Sequence, residues 1–166
     1  LRHAIGGVGE AMAESMAIFA PNANSYRRYA PGWFTPASPN WGPNHRDLAM
    51  RIPVSGQKNR RFEHRVAGAD ANPYLAIAAV MAGIHHGLTT KAEPEPMVQE
   101  RESIEYKVTL PQRWPLALDA FKTGKILPKY MGEEYHRVYG ACKLEESAVF
   151  NAQVTNRDFE WFLRAI

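Results

Sequence analysis

Between positions 21 and 43 the chain places Pro21, Pro31, Gly32, Pro36, Pro39, Gly42 and Pro43. Proline fixes φ and lacks a backbone donor, so neither an α-helix nor a central strand can run through such a stretch. Residues 21–44 are therefore expected to be loop. The stretch also carries Tyr26, Tyr29, Trp33, Phe34 and Trp41, an aromatic content that disordered segments lack. A loop of this length that stays ordered inside a domain usually serves function.

The loop separates two kinds of pattern. Upstream, Leu1, Ile5, Val8, Met12, Met16 and Phe19 recur at helical spacing, which predicts an amphipathic helix over 1–20 that Gly6, Gly7 and Gly9 weaken and Pro21 stops. The series begins at once and without a start signal, so the chain is expected to be part of a longer one. Downstream, 46–53 and 60–67 read as strands joined by the polar turn S-G-Q-K-N, a hairpin. Asp70 or Asn72 can cap a following helix, and Pro73 suits its first position. Its apolar surface would be Tyr74, Leu75, Ile77, Ala78, Met81 and Ile84, with Gly87 ending it. Residues 91–113 read as a long surface connection, and 115–123 and 131–166 as helical, with Leu144, Val149, Phe159, Phe162 and Leu163 expected in the core.

Within the second strand stands R-R-F-E-H-R, residues 60–65. Strand side chains alternate, so Arg61, Glu63 and Arg65 share one face at roughly 6.5 to 7 Å spacing, and Arg60, Phe62 and His64 share the other. The first face reads plus, minus, plus. That order suits a polyphosphate carried with a divalent cation, the carboxylate holding the hard ion and the guanidiniums taking oxygens bidentately. A solvated surface stripe has the same pattern, each exposed pair contributing about 0 to 1 kcal/mol.

Composition sets looser limits. The chain has 166 residues, 45% hydrophobic and 22% charged, with a net charge of +3, enough for one core and too mild an excess to demand nucleic acid or membrane. Its one cysteine, Cys142, excludes an internal disulfide and reads as a buried thiol. No signal peptide or long apolar run is evident, so a cytoplasmic protein is expected. His85 and His86 lie about 100° apart on their helix and cannot easily share a metal, and His3 and His136 lack ligand-spaced partners, so no zinc site is expected.

Five stretches occur in order over residues 20–79: A-P-N-A-N-S-Y-R-R, P-G-W-F-T-P, W-G-P-N-H-R-D-L-A-M-R-I-P, K-N-R-R-F-E-H-R and A-N-P-Y-L-A-I-A-A. Together they resemble the C-terminal part of the glutamine synthetase family, and R-V-A-G-A-D-A-N-P-Y with the terminal E-W-F-L is most similar to its γ-glutamylputrescine synthetase branch. The resemblance implies an α+β catalytic domain with a small antiparallel sheet carrying the site and helices around it. It implies an ATP-dependent ligase with Mg2+ or Mn2+, in which glutamate's γ-carboxylate is phosphorylated and an amine captures the γ-glutamyl phosphate.

Carried over residue by residue, the resemblance makes Glu63 a metal ligand, Arg65 and Arg28 binders of the glutamate substrate, and Arg46 and Arg51 partners of phosphate and nucleotide, with Arg46 also catalytic and substrate-binding. Lys58 and Arg61 fall on the ATP side. Two departures stand out. The upstream metal-binding E-x-E and G-x-H-x-H elements do not occur, which implies that residues 1–166 are the C-terminal portion of the catalytic domain, without the N-terminal domain, and inactive alone. In the flap, Phe34 stands where glutamine synthetases proper carry a glutamate that helps deprotonate ammonium. Trp33 and Phe34 thus become substrate-binding candidates for an organic amine such as putrescine, with ammonia, as in ordinary glutamine synthetase, the alternative. A basic nucleic-acid surface built on Arg27, Arg28, Arg51, Lys58, Arg60 and Arg61 is disfavoured, because those residues fall inside ligase motifs. A homo-oligomer is expected for the full-length protein.

Overall fold

A computed structural model describes residues 1–29, 34–99 and 107–163. Helix α1, Arg2–Phe19, forms as the apolar spacing predicts and is buried along nearly its whole length, with Ile5, Met12, Met16 and Phe19 at the centre of the core. A helix enclosed on several sides needs neighbours all round. Helix α2, Pro73–Thr90, lies along one side of it and helix α3, Trp114–Thr123, along another.

The glycines of α1 explain that proximity. Gly7 and Gly83 face each other across the α1–α2 crossing, and a Cβ on Gly83 would stand 2.8 Å from the Val8 Cα. Gly87 sits against the His3 carbonyl and Gly7 in the same way. Small residues thus let the two backbones touch. Gly87 therefore does not end α2. The helix runs on to Thr90 and closes on Lys91, whose left-handed φ of 57° supplies the terminating turn. Its start is as expected: the Asn72 side chain accepts from the Tyr74 and Leu75 amides at 3.0 and 3.3 Å, with Pro73 next. The buried face of α2 is Ala79, Ala82, Gly83 and Gly87, while Tyr74, Ile77 and Met81 of the predicted apolar surface are exposed.

The sheet has three short strands, β1 Trp41–Pro43, β2 Met50–Ile52 and β3 Glu63–His64, in the order β1-β2-β3. The predicted hairpin is present: β2 and β3 are antiparallel, with Met50 opposite His64 and Arg51 opposite Glu63. The sheet is nonetheless mixed, because β1 runs parallel to β2, with Trp41 opposite Met50. β1 lies inside the segment expected to be loop. Its Gly42 and Pro43 can sit in a strand because β1 is an edge, where an absent donor costs least. The same segment opens with a 3₁₀ turn, Ala23–Arg28, capped by Asn22, whose side chain accepts from the Ser25 amide at 3.1 Å.

Beyond α3 come α4, Leu127–Met131, α5, Glu133–Asn151, and α6, Asn156–Phe162. Glu14, buried within α1, tethers this C-terminal part. Its carboxylate accepts from the Ile126 amide at 3.1 and 3.2 Å and the Leu127 amide at 3.3 Å, caring for donors that the start of α4 leaves unpaired. Burial pushes its pKa up, and the backbone N–H groups pull it partly back. From α5, Tyr139 Oη donates to the Ala17 carbonyl at 3.0 Å. The remaining core expectations for this region are corrected: Leu144, Val149, Phe159, Phe162 and Leu163 are 42 to 67% exposed, and Cys142 is exposed too. Apolar periodicity marks a face without saying what covers it, and here the covered face of α5 holds His136 and Ser147. None of the helices is long and apolar enough to cross a membrane among the described residues.

Candidate active site

The antiparallel register places Arg51 directly across from Glu63. Side chains opposite one another on a sheet face lie close enough to pair. Arg51 Nε donates to Glu63 Oε2 at 2.9 Å and its Nη2 reaches the same oxygen at 2.7 Å. Arg61 Nη2 lies 3.9 Å from Glu63 Oε1. The carboxylate is thus flanked by two guanidiniums at the open face of the sheet, with the Glu63 side chain 32% exposed and that of Arg51 25%. Arg65 joins from the end of β3: its amide donates to the Ala49 carbonyl at 2.9 Å and its Nε to the Arg46 carbonyl at 3.0 Å. Arg46 is exposed on the turn before β2.

The loop from β2 to β3 brings the remaining cations. Ser55 Oγ donates to the Asn59 carbonyl at 3.0 Å, as does Arg61 Nη1 at 3.3 Å, closing the turn on which Lys58 stands exposed. Five of the expected residues, Arg46, Arg51, Arg61, Glu63 and Arg65, are therefore gathered by two strands and their flanks. Lys58 forms no ion pair with them among the described residues. Phe34 is 54% exposed and holds a left-handed φ of 47°, an outlying conformation for a bulky residue and one that clusters at functional sites. Trp33 lies outside the described residues.

Arg28, expected to bind the glutamate carboxylate, lies at the corner where the 3₁₀ turn meets the end of β3. Its Nη2 donates to the Val66 carbonyl and to Tyr29 Oη, the latter at 2.8 Å, while its Nε is buried without a partner among the described residues. The guanidinium sits over the Tyr29 ring, 4.7 Å from its centre. Tyr29 itself, which nothing in the sequence singles out beyond its aromaticity, donates to Val66 O at 3.2 Å. Asp70 closes the same corner, accepting from Ser25 Oγ at 2.6 Å and Asn22 Nδ2 at 3.1 Å, bonds that hold its carboxyl low although burial opposes them.

The opposite face of β3 turns inward, as alternation requires. His64 packs on Phe19 with ring centres 4.4 Å apart, and burial together with Arg28 pushes its pKa down to about 4. It is a neutral, half-buried imidazole at ordinary pH. Arg61 and Glu63 share the outer face as predicted, although only Glu63 and His64 of the expected strand 60–67 are in strand conformation.

A divalent cation wants about six oxygen ligands. Among the described residues no three His, Cys, Asp or Glu side chains gather closely enough to enclose one. Glu63 can offer one carboxylate, already engaged by arginines, so these residues fit part of a metal site and not a whole one. For an anion they fit better: the Arg51 and Arg61 guanidiniums flank the Glu63 carboxylate, and Arg46, Arg65 and Lys58 stand on the neighbouring strand ends and turn. The other histidines have partners of their own, His85 Nδ1 with Tyr130 Oη and His86 Nε2 with Glu10 Oε2, each at 2.9 Å.

Comparison with known proteins gives this geometry a class. The model of the glutamine synthetase catalytic domain matches residues 1–162, and the chain belongs to that family. Among its relatives, γ-glutamylputrescine synthetase PuuA of Escherichia coli K12 is 42% identical over 99% of this chain and 35% of its own length. γ-Glutamylethanolamide synthetase GlnA4 of Streptomyces coelicolor is 32% identical over 99% of this chain and 34% of its own length. The structure of GmaS without ligand superposes with a TM-score of 0.84 at 27% identity, covering 98% of this chain and 38% of that one. The chain thus spans about a third of the length of the curated relatives it matches.

Proposed function

We propose that residues 1–166 are the C-terminal portion of the catalytic domain of an ATP-dependent glutamate–amine ligase. The observation that carries this reading is the Arg51–Glu63–Arg61 cluster on the β2–β3 face, with Arg46 and Arg65 beside it, in a chain of this family. Attaching an amine to a carboxylate needs an activated acyl group, which ATP supplies as a phosphoryl group. Transferring that group is chiefly a matter of positioning it and stabilising its charge.

Arg46, Arg51, Lys58 and Arg61 would hold the nucleotide's phosphates, and Arg46 would also face the phosphoryl group in transfer and the glutamate. Arg65 would take the glutamate carboxylate, its guanidinium fork matching the two oxygens. Arg28 would join it while its Nη2 holds the Val66 carbonyl. Glu63 would contribute one ligand to Mg2+ or Mn2+, the others coming from residues outside 1–166. Before a cation arrives, Arg51 and Arg61 hold that carboxylate in place at the open face.

For the acceptor, the half-exposed Phe34 favours an alkyl amine over ammonia. A phenyl ring packs on methylenes and faces a cation, and cannot take a proton from ammonium. The test is phosphate release by the full-length protein with ATP, magnesium and glutamate, screened against ammonium and a panel of alkyl amines. Glutamate-dependent release stimulated by an aliphatic amine such as putrescine is expected. No glutamate-dependent release with any amine or ammonium would overturn the ligase reading.

A further inference from the structure

Away from the sheet, α3 and α5 enclose a cavity of about 290 Å3 lined by Leu118, Phe121, His136, Gly140, Ala141 and Leu144. Its walls are fixed. Leu118 and Phe121 are buried, and His136 stacks on the Phe121 ring at 4.0 Å while its Nε2 donates to the Phe121 carbonyl at 3.0 Å. The bond to a carbonyl, which only accepts, puts the proton on Nε2 and spends that nitrogen. The interior offers apolar carbon and little else.

The mouth differs. Lys122 of α3 and Arg137 of α5 complete the lining, one cation from each helix. Lys122 has no ion-pair partner among the described residues, and Arg137 has an exposed one, Glu134, at 3.4 Å. No carboxylate lines the cavity. Gly140 creates the room: a Cβ there would meet only the Phe121 ring, at 3.4 Å, an ordinary contact.

We propose that the α3–α5 cavity is a binding site for a small carboxylic acid with an apolar body, the body lying along Gly140, Ala141 and Leu144 with the buried Leu118 and Phe121 closing the floor behind them, and the carboxylate between Lys122 and Arg137. Such a site is separate from the arginine cluster. An apolar pocket with few convergent charges is the usual form of a small-molecule site, and the two cations fix the orientation of an anion that an apolar wall alone would not select. A neutral molecule of the same shape gains the burial without the charge.

The probe is octanoate, titrated into the full-length protein by calorimetry and ligand-observed NMR, beside octan-1-ol and octylammonium. Saturable binding with a Kd below about 1 mM is expected, octan-1-ol being weaker by about fivefold and octylammonium not binding. Gly140→Leu fills the cavity with a better helix former and should weaken octanoate at least about tenfold without unfolding the protein. Lys122→Gln with Arg137→Gln should bring octanoate down to the level of the alcohol. The proposal is overturned by no saturable octanoate binding up to about 5 mM, by binding that Gly140→Leu leaves intact, or by equal affinity for acid and alcohol.

Discussion

Glu63 and His64 show how much one residue step decides on a strand. Glu63 points to the open face between Arg51 and Arg61, while His64 points into the core on Phe19. In the full-length protein Glu63→Gln should lower activity about a hundredfold or more, because the amide keeps the shape and loses the charge. Arg65→Lys should be comparably severe, since an ammonium cannot reproduce bidentate carboxylate recognition. Steady-state phosphate release at saturating magnesium and glutamate checks both, and near-normal turnover in either would remove that residue from the site. His64 yields a stability prediction. Its pKa near 4 lies below the ordinary 6.5, so the unfolded chain binds the extra proton. The stability it contributes is complete above pH 6.5 and is lost as pH falls towards 4, up to about 3 kcal/mol in total. Denaturant unfolding between pH 4.5 and 7 should show that slope in the wild type and a flatter one in His64→Phe.

At the scale of elements, the α1–α2 crossing carries the fold. Gly87→Ala would drive a methyl into the His3 carbonyl and Gly7, with rigid backbone on the opposing side. A loss of about 3 kcal/mol or more is expected, beyond ordinary overpacking. Gly140→Ala on α5 would place its methyl in ordinary contact with the Phe121 ring, at 3.4 Å, and should gain up to about 1 kcal/mol from helix propensity. Thermal unfolding of the two variants compares them directly, and equal effects would mean that helix contact does not decide the difference. In the sequence Gly6, Gly7 and Gly9 read as a weakness of α1 and Gly87 as the end of α2, because propensity is a local quantity. Their use appears only when a second helix lies against them.

For the molecule as a whole, the acceptor is the sharpest question. Two or three buried methylenes and a cation over an aromatic face favour an alkyl amine over ammonium by about 2 to 4 kcal/mol, or roughly thirty- to a thousandfold. Specificity constants of the full-length protein should therefore favour an aliphatic amine, and Phe34→Glu should move preference towards ammonium. A constant for ammonium equal to or above that for every alkyl amine tested would make ammonia the acceptor. The 166-residue chain alone should release no phosphate from ATP with glutamate, since it offers one carboxylate to a cation that needs several ligands.

The sequence by itself determined α1 and its stop, the Pro73 start of α2 with a cap at Asp70 or Asn72, the β2–β3 hairpin and the outward set Arg61 and Glu63. These follow from spacing, capping and strand alternation, all properties of neighbouring residues. It also determined the family, through motifs whose order survives without knowledge of the fold. Tertiary structure alone decided that β1 pairs parallel to β2, that Arg28 turns to Val66, that α2 passes through Gly87, and that Leu144, Val149, Phe159, Phe162 and Leu163 stand exposed. Each depends on what lies across a gap in space, and periodicity records that a face is apolar while the partner that covers it is set by packing between distant segments.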